Sequence, residues 1–276
     1  MSNEPLKQIH MDLAASIQKA TELIMLRLTR GVRRSTGMKN LCLAGGVALN
    51  CVANGKIIKD SQYDGIWIQP ASGDAGGSLG AALSIHHIFL NKPRVVDTCD
   101  KMQGSLLGPS FEQEDIEKRL TSLGAVFKTL ENEQLFAVCA KVLAEQRALG
   151  WFQGRMEFGP RALGSRSILA DPRSPNMQSL LNQKVKFRES FRPFAPSILK
   201  EDLPDWFELN VESPYMLLVA EIVKKRRKIV TVDDEKLFGI NKLNVQRSEI
   251  PAATHVDYSS RIQTVNISNN PLFYNL

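Results

Sequence analysis

In the amino-terminal stretch the hydrophobic pattern switches period twice. From Asp12 to Arg30 the apolar residues Leu13, Ile17, Ala20, Ile24 and Leu28 recur at helical spacing, which predicts an amphipathic helix closed by Gly31. The run NLCLA (Asn40 to Ala44) then reads as a short buried strand, Gly45-Gly46 turns the chain, and VALNCVANGKIIKD looks helical. The unit repeats: the strand GIWIQ (Gly65 to Gln69), the loop PASGDAGG and a helix from Ser78 to Leu90. Two such units in succession predict parallel α/β structure, with loops gathered at the strand ends where ligands bind.

Between Asn91 and Gly108 the pattern lapses, and Lys92, Pro93, Arg94, Asp97, Asp100, Lys101 and Gly104 read as a linker. Beyond it, Ser110 to Leu123 and Glu133 to Arg147 have helical spacing, ALGWFQ reads as a strand, and a helix is expected over Asn176 to Lys184. Tyr215 to Val223 (YMLLVAEIV) predicts a strand. The five positive charges from Lys224 to Lys228 read as a solvated turn leading into a second strand, IVTV, with nucleic-acid contact as the alternative. Pro251 to Val265 reads as turn and strand, bringing His255, Asp257 and Arg261 close together.

Charge singles out one segment. Gly150 to Ala195 holds eight basic residues (Arg155, Arg161, Arg166, Arg173, Lys184, Lys186, Arg188, Arg192) against three acids, in a chain of 276 residues with net charge +6. Glycine and proline interrupt this segment often enough to predict turns and short elements. Guanidinium groups on such a framework can converge on phosphate oxygens. The alternative is a set of surface arginines paired with Glu157, Asp171 and Glu189. The two glycine loops suit close approach of backbone to a ligand, followed by a helix amino terminus that favours anions. Neither has dinucleotide-fingerprint or Walker A spacing, so simple connectors stay open as a reading. The pI of about 9.1 does not require a nucleic-acid partner. The four cysteines form no C-x-x-C pair, and neither a signal pattern nor a membrane-length apolar run is present. A soluble cytoplasmic protein with no membrane partner is expected.

The stretches NLCLAGGVALNCVANGKI, QPASGDAGGSLGAAL, LGPSF, GWFQGRMEFGPRALGSRSILADPR, FRESFRPFAPSIL and PAATHVDYSSRIQTVN, in this order, resemble the O-carbamoyltransferases of nodulation-factor and antibiotic biosynthesis. The resemblance implies that residues 1–95 are the carboxy-terminal portion of an actin-like ATPase (RNase-H-like) lobe. It further implies a linker at 96–107 and, at 108–276, a YrdC-like α/β domain with a twisted sheet, truncated at its carboxy terminus. The second domain would form carbamoyladenylate from carbamoyl phosphate and ATP. The first would pass the carbamoyl group to a hydroxyl of a sugar, nodulation-factor or antibiotic-like acceptor.

On that resemblance Arg155, Arg161, Arg166, Arg188, Arg192 and His255 are the expected catalytic set. Gly45, Gly46, Asn50, Lys184, Lys186 and Arg261 are the expected cofactor contacts, with Asp257 finishing the pocket. Asp74 matches a ligand of a divalent metal (Fe or Mg), its other reading being the N-cap of the following helix.

Some family features are missing. The family's H-x-x-x-H metal pair lies in a long region before the position of Asp12, whereas here His86 and His87 are adjacent and a lone aspartate cannot hold a catalytic metal. Only two strands are evident before residue 95, too few for an independent α/β layer. Tyr258 stands where a glycine is usual, and an Asn-Thr-Ser-Phe-Asn-like segment is not found. The expectation is a portion of a carbamoyltransferase that works with a missing amino-terminal region or a partner subunit, a homodimer also being compatible. A basic RNA-binding module and an inactive partner subunit are the alternatives.

Overall fold

The computed structural model describes residues 6–96 and 99–276. The chain begins with helix α1 (Gln8–Thr36). Gly31 does not end it, because a glycine in a helix interior costs only about 1 kcal/mol. The stop is Gly37, left-handed at φ 68°, whose N–H returns to Arg33 O.

Strand β1 (Asn40–Leu43) leads through a 3-10 turn at Gly46–Leu49 into helix α2 (Cys51–Lys59). Asn50 caps α2, its Oδ1 accepting from Ala53 N at 3.1 Å. Strand β2 (Gly65–Ile68) pairs parallel with β1, as the repeated unit predicts, and helix α3 (Gly76–Ser84) follows, ending in a π-helical turn at Ile85–Phe89. Part of the expected linker is built into the core: Met102 is buried and Gln103–Ser105 form a 3-10 turn. Asp97 and Thr98 lie outside the described residues.

Helices α4 (Gln113–Ser122) and α5 (Asn132–Ala144) fall where the periodicity puts them. Strands β3 (Leu149–Phe152) and β4 (Arg166–Leu169) pair antiparallel. Helix α6 (Met177–Leu180) continues as a π-helical turn at Leu181–Val185. Strand β5 (Ser197–Leu199), helix α7 (Leu203–Trp206), strand β6 (Leu218–Glu221), helix α8 (Val232–Glu235), strand β7 (Ser259–Val265) and helix α9 (Pro271–Asn275) complete the chain. In the three-stranded sheet β7 is central, parallel to β5 and antiparallel to β6. The fold is mixed α/β with small sheets.

Two expected strands are corrected. Of Tyr215 to Val223 only Leu218–Glu221 is strand, since Met216 turns left-handed at φ 56° and Tyr215, Met216 and Leu217 fill the core. IVTV is not a strand either: Thr231 makes a capping box with Asp234 and starts α8. The basic run before it is a 3-10 turn (Lys224–Arg226) whose charges are largely answered, Lys225 by Asp205, Arg226 by Glu249, and Arg227 by Glu208 and Glu221.

The two halves share one hydrophobic cluster. Ala48, Ile68 and Ala71 pack with Met102, Leu163 and Tyr215 to Leu218. Buried Asn54 of α2 donates to Leu217 O at 3.1 Å, and Gly55 sits so tightly on β6 that a Cβ there would be 2.5 Å from Val219 O. A second cluster beneath the three-stranded sheet contains Phe207, Ile222, Ile250 and Ile262.

Candidate anion-binding site

Because β1 and β2 run parallel, their carboxyl ends present the loops after Leu43 and Ile68 at one edge. Gly45, at φ 94°, donates its N–H to Ser72 O at 2.9 Å, joining the two loops. A Cβ on Gly45 or Gly46 would meet nothing within 4 Å, so space lies open above them. The carboxamide of Asn50 is already engaged by the α2 cap and by Gln18, to which it donates at 2.9 Å.

The basic segment lies against these loops. At Gly159 (φ 126°) a Cβ would stand 3.3 Å from Pro70 O, and Arg161 Nη2 donates to Leu49 O at 3.1 Å. Glu157 holds this loop in shape. Its buried carboxylate accepts from Leu163 N (2.7 Å), Ser165 N (2.8 Å) and Arg166 Nε (3.2 Å). The loop conformation is thus set by a charge-assisted network rather than by regular structure.

The structure sorts the candidate bases. Arg166, Arg173 and Arg192 are tied to Glu157, Asp171 and Glu189 respectively, the pairing offered as the alternative, although Glu157 and Asp171 are buried and not on the surface. Arg155 is exposed and donates to Gly108 O at 3.0 Å, while Lys184 and Lys186 are exposed at the π-helical turn after α6. Arg161, Arg188 and Arg261 form no such carboxylate pair among the described residues. Burial pushes the Arg261 guanidinium below its usual range, the charge of Arg161 pushes the same way, Cys51 opposes, and Arg188 adds a smaller downward push. These three guanidinium groups lie within range of one another's charge. The Arg188 value is lowered first by burial and then by Arg192. Arg188 is aimed by Asn182 Oδ1 at 2.6 Å and lies over the Phe194 ring at 5.0 Å.

His255 borders this group. Its Nδ1 is 3.1 Å from Ser259 Oγ, and the Ser259 hydroxyl donates to Asp257 Oδ1 at 2.6 Å. With that proton committed, Nδ1 must be the donor to Ser259, which leaves Nε2 of the neutral ring as an acceptor. Burial holds His255 below the ordinary imidazole range, offset in part by Asp257 and reinforced by Arg261. Both His255 Nε2 and Arg161 Nε are buried without a partner. Arg161 Nε is thus an unsatisfied donor and His255 Nε2 an unsatisfied acceptor, a pair that suits a polar, anionic ligand.

Asp74 is exposed and caps nothing, the N-cap position of α3 being Ala75 with no side-chain bond. Among the described residues no group of three or more His, Cys, Asp or Glu could hold a metal ion. One carboxylate does not fit a divalent ion by itself. A cavity of about 470 Å³ is a separate and mostly apolar groove lined by Ile168, Met177, Leu181, Phe194, Ile198 and Leu276. Arg161, Arg188 and Arg261 do not line it, so chemistry rather than volume marks the candidate site. No described helix is long and apolar enough to cross a membrane.

Loops at the ends of parallel strands, closed by an arginine-bearing segment, define a mixed α/β protein with a candidate anion-binding site. Family models add the identity: the carbamoyltransferase amino-terminal model matches residues 2–83 and the carboxy-terminal model residues 140–276. The chain belongs to the carbamoyltransferase family. It is 55% identical over 274 residues to an uncharacterized protein of Synechocystis, covering 99% of this chain and 45% of the relative. Nodulation protein NolO of Bradyrhizobium diazoefficiens is 37% identical over 277 residues (99% of this chain, 46% of the relative). Nodulation protein U of Rhizobium tropici is 32% identical over 264 residues (94% and 39%). The chain thus spans less than half the length of these relatives.

Proposed function

We propose that the Arg161, Arg188 and Arg261 cluster binds carbamoyl phosphate together with ATP, and that this half of a carbamoyltransferase forms carbamoyladenylate: water releases phosphate from carbamoyl phosphate, and the carbamate left attacks the α-phosphorus of ATP as pyrophosphate leaves. A hydroxyl of a sugar, nodulation-factor or antibiotic-like molecule is the final acceptor. The observation that carries the reading is the pair of buried, unpartnered nitrogens, Arg161 Nε and His255 Nε2, beside guanidinium groups that repel one another. Phosphate oxygens would satisfy Arg161 and relieve the repulsion, which is the electrostatic stabilisation that charge building on leaving phosphates requires. A carbamoyl NH₂ is a donor that suits the acceptor at His255. Open space above Gly45 and Gly46 gives a nucleotide room beside the cluster.

ATP–pyrophosphate exchange that depends on carbamoyl phosphate tests this reading. Arg161→Ala is expected to lower exchange by about a hundredfold, the scale of losing one donor to a developing charge. Lys224→Ala, on the solvated turn, leaves it unchanged. Equal losses in both variants, or exchange indifferent to carbamoyl phosphate, would count against the assignment.

A further inference from the structure

Helix α1 is turned inside out. Its side toward α2 is polar: Gln18 and Asn50 exchange hydrogen bonds, Glu22 pairs with Lys56, Arg30 Nε donates to Asp60 at 2.9 Å, and Tyr63 Oη donates to Thr29 O at 2.6 Å. The two buried residues of this 29-residue helix are Glu22 and Thr29. On the opposite side Ile9, Leu13, Ile17, Ile24 and Leu28 are all exposed, Ile17 at 73%. At 100° per residue these five fall in one stripe, with Ala20 and Gly31 between them. A surface helix of a globular protein directs such a stripe to the core, so this one awaits a cover.

A second element repeats the signal. No residue of α3 or of its π-helical end is buried, although Leu83, Ile85, Ile88 (78% exposed) and Phe89 (83%) are large and apolar. Both helices flank the sheet of β1 and β2 in sequence, and among the described residues that sheet has two strands. Two-stranded sheets are marginal without further packing.

We propose that the outer stripe of α1, with the apolar side chains of α3, is the docking surface for the remaining polypeptide of a carbamoyltransferase: the part that the relatives carry outside the stretch matched here. More than half of the length of each relative above lies outside that stretch. A second copy of the chain fits less well. The acids of α1 are Asp12 and Glu22, the latter committed to Lys56, so a self-paired helix would set Arg27, Arg33 and Arg34 against one free carboxylate. This inference rests on family membership and not on the reaction proposed above, so either can fail alone.

The test co-expresses this chain with the portion of the Synechocystis relative outside the matched residues, carrying an affinity tag on that portion. Stoichiometric recovery of the chain is expected, with slowed hydrogen exchange over Gln8–Thr36 in the complex. Ile17→Lys combined with Ile24→Lys should cut recovery at least tenfold while leaving the circular dichroism and urea midpoint of the chain unchanged, and Val126→Lys, on a distant exposed loop, should not. No recovery of the wild-type chain, recovery unaffected by the double variant, or a wild-type homodimer that the double variant converts to monomer would each overturn the proposal.

Discussion

Helix α1 and strand β7 are built on opposite terms. Of the 29 residues of α1 two are buried, and both are polar. Six of the seven residues of β7 are buried, four of them polar: Ser259, Ser260, Gln263 and Thr264. Those polar groups are answered over long sequence distances. Ser260 Oγ donates to Ala253 O (2.7 Å), Gln263 Nε2 to Leu163 O (2.7 Å), and Ser213 N to Thr264 Oγ1 (2.9 Å). Arg261 is the one residue of β7 that is only half-buried, so a tightly held strand carries the guanidinium to the candidate site. Burial here follows position in the tertiary structure, not hydropathy. The packed strand carries a residue of the candidate site, and the uncovered helix carries the proposed docking surface.

Substitutions in the two regions put this contrast at risk. The largest effect is expected from Ile262→Ala, at a fully buried position of β7, which should lower stability in urea by about 3 kcal/mol. Ile17→Ala on the stripe of α1 should change it by no more than about 0.5 kcal/mol, and a larger loss would mean that the stripe is covered in the isolated chain. Next comes the junction between the regions. Gly55→Ala would drive a Cβ into the Val219 carbonyl and part α2 from β6, at about 2 kcal/mol, measured by thermal unfolding. Gly31→Ala, in open space on α1, should instead stabilise by about 1 kcal/mol.

The pH dependence is smaller. Burial depresses His255 in the folded state, so the unfolded chain binds the proton first. Stability contributed by the neutral ring is present above the ordinary imidazole value of about 6.5 and is lost as pH falls through the depressed one. The urea midpoint of the wild type should therefore decline more between pH 7.5 and 5 than that of His255→Asn, and parallel curves would contradict it. The smallest effect is expected at Tyr258, left-handed at φ 64° with Arg227 5.0 Å over its ring. Tyr258→Gly removes about 1 kcal/mol of backbone strain and a cation–π contact of similar size, so stability should stay within about 0.5 kcal/mol.

Much of the scaffold is legible in the order of residues. The helices α1, α2, α4 and α5 and the parallel strands β1 and β2 follow from spacing, because local periodicity and glycine turns act between near neighbours. Length is misjudged where one residue type has two uses: Gly31 passes inside the helix and Gly37 stops it, a difference set by φ rather than identity. The basic segment stands out by composition, yet its division into Arg166, Arg173 and Arg192, paired with carboxylates, and Arg161 and Arg188, with no such pair among the described residues, cannot be read there. Spacing does not tell which carboxylate reaches which arginine.

The amino-acid sequence alone therefore specifies most of the elements, the family and the segment where cations gather. Which side of α1 faces inward, and which arginines are left without a counter-charge, is settled by tertiary packing. Those outcomes hang on contacts such as Arg161 to Leu49 and Gln263 to Leu163, about a hundred residues apart, and a pattern of near neighbours holds no information about them.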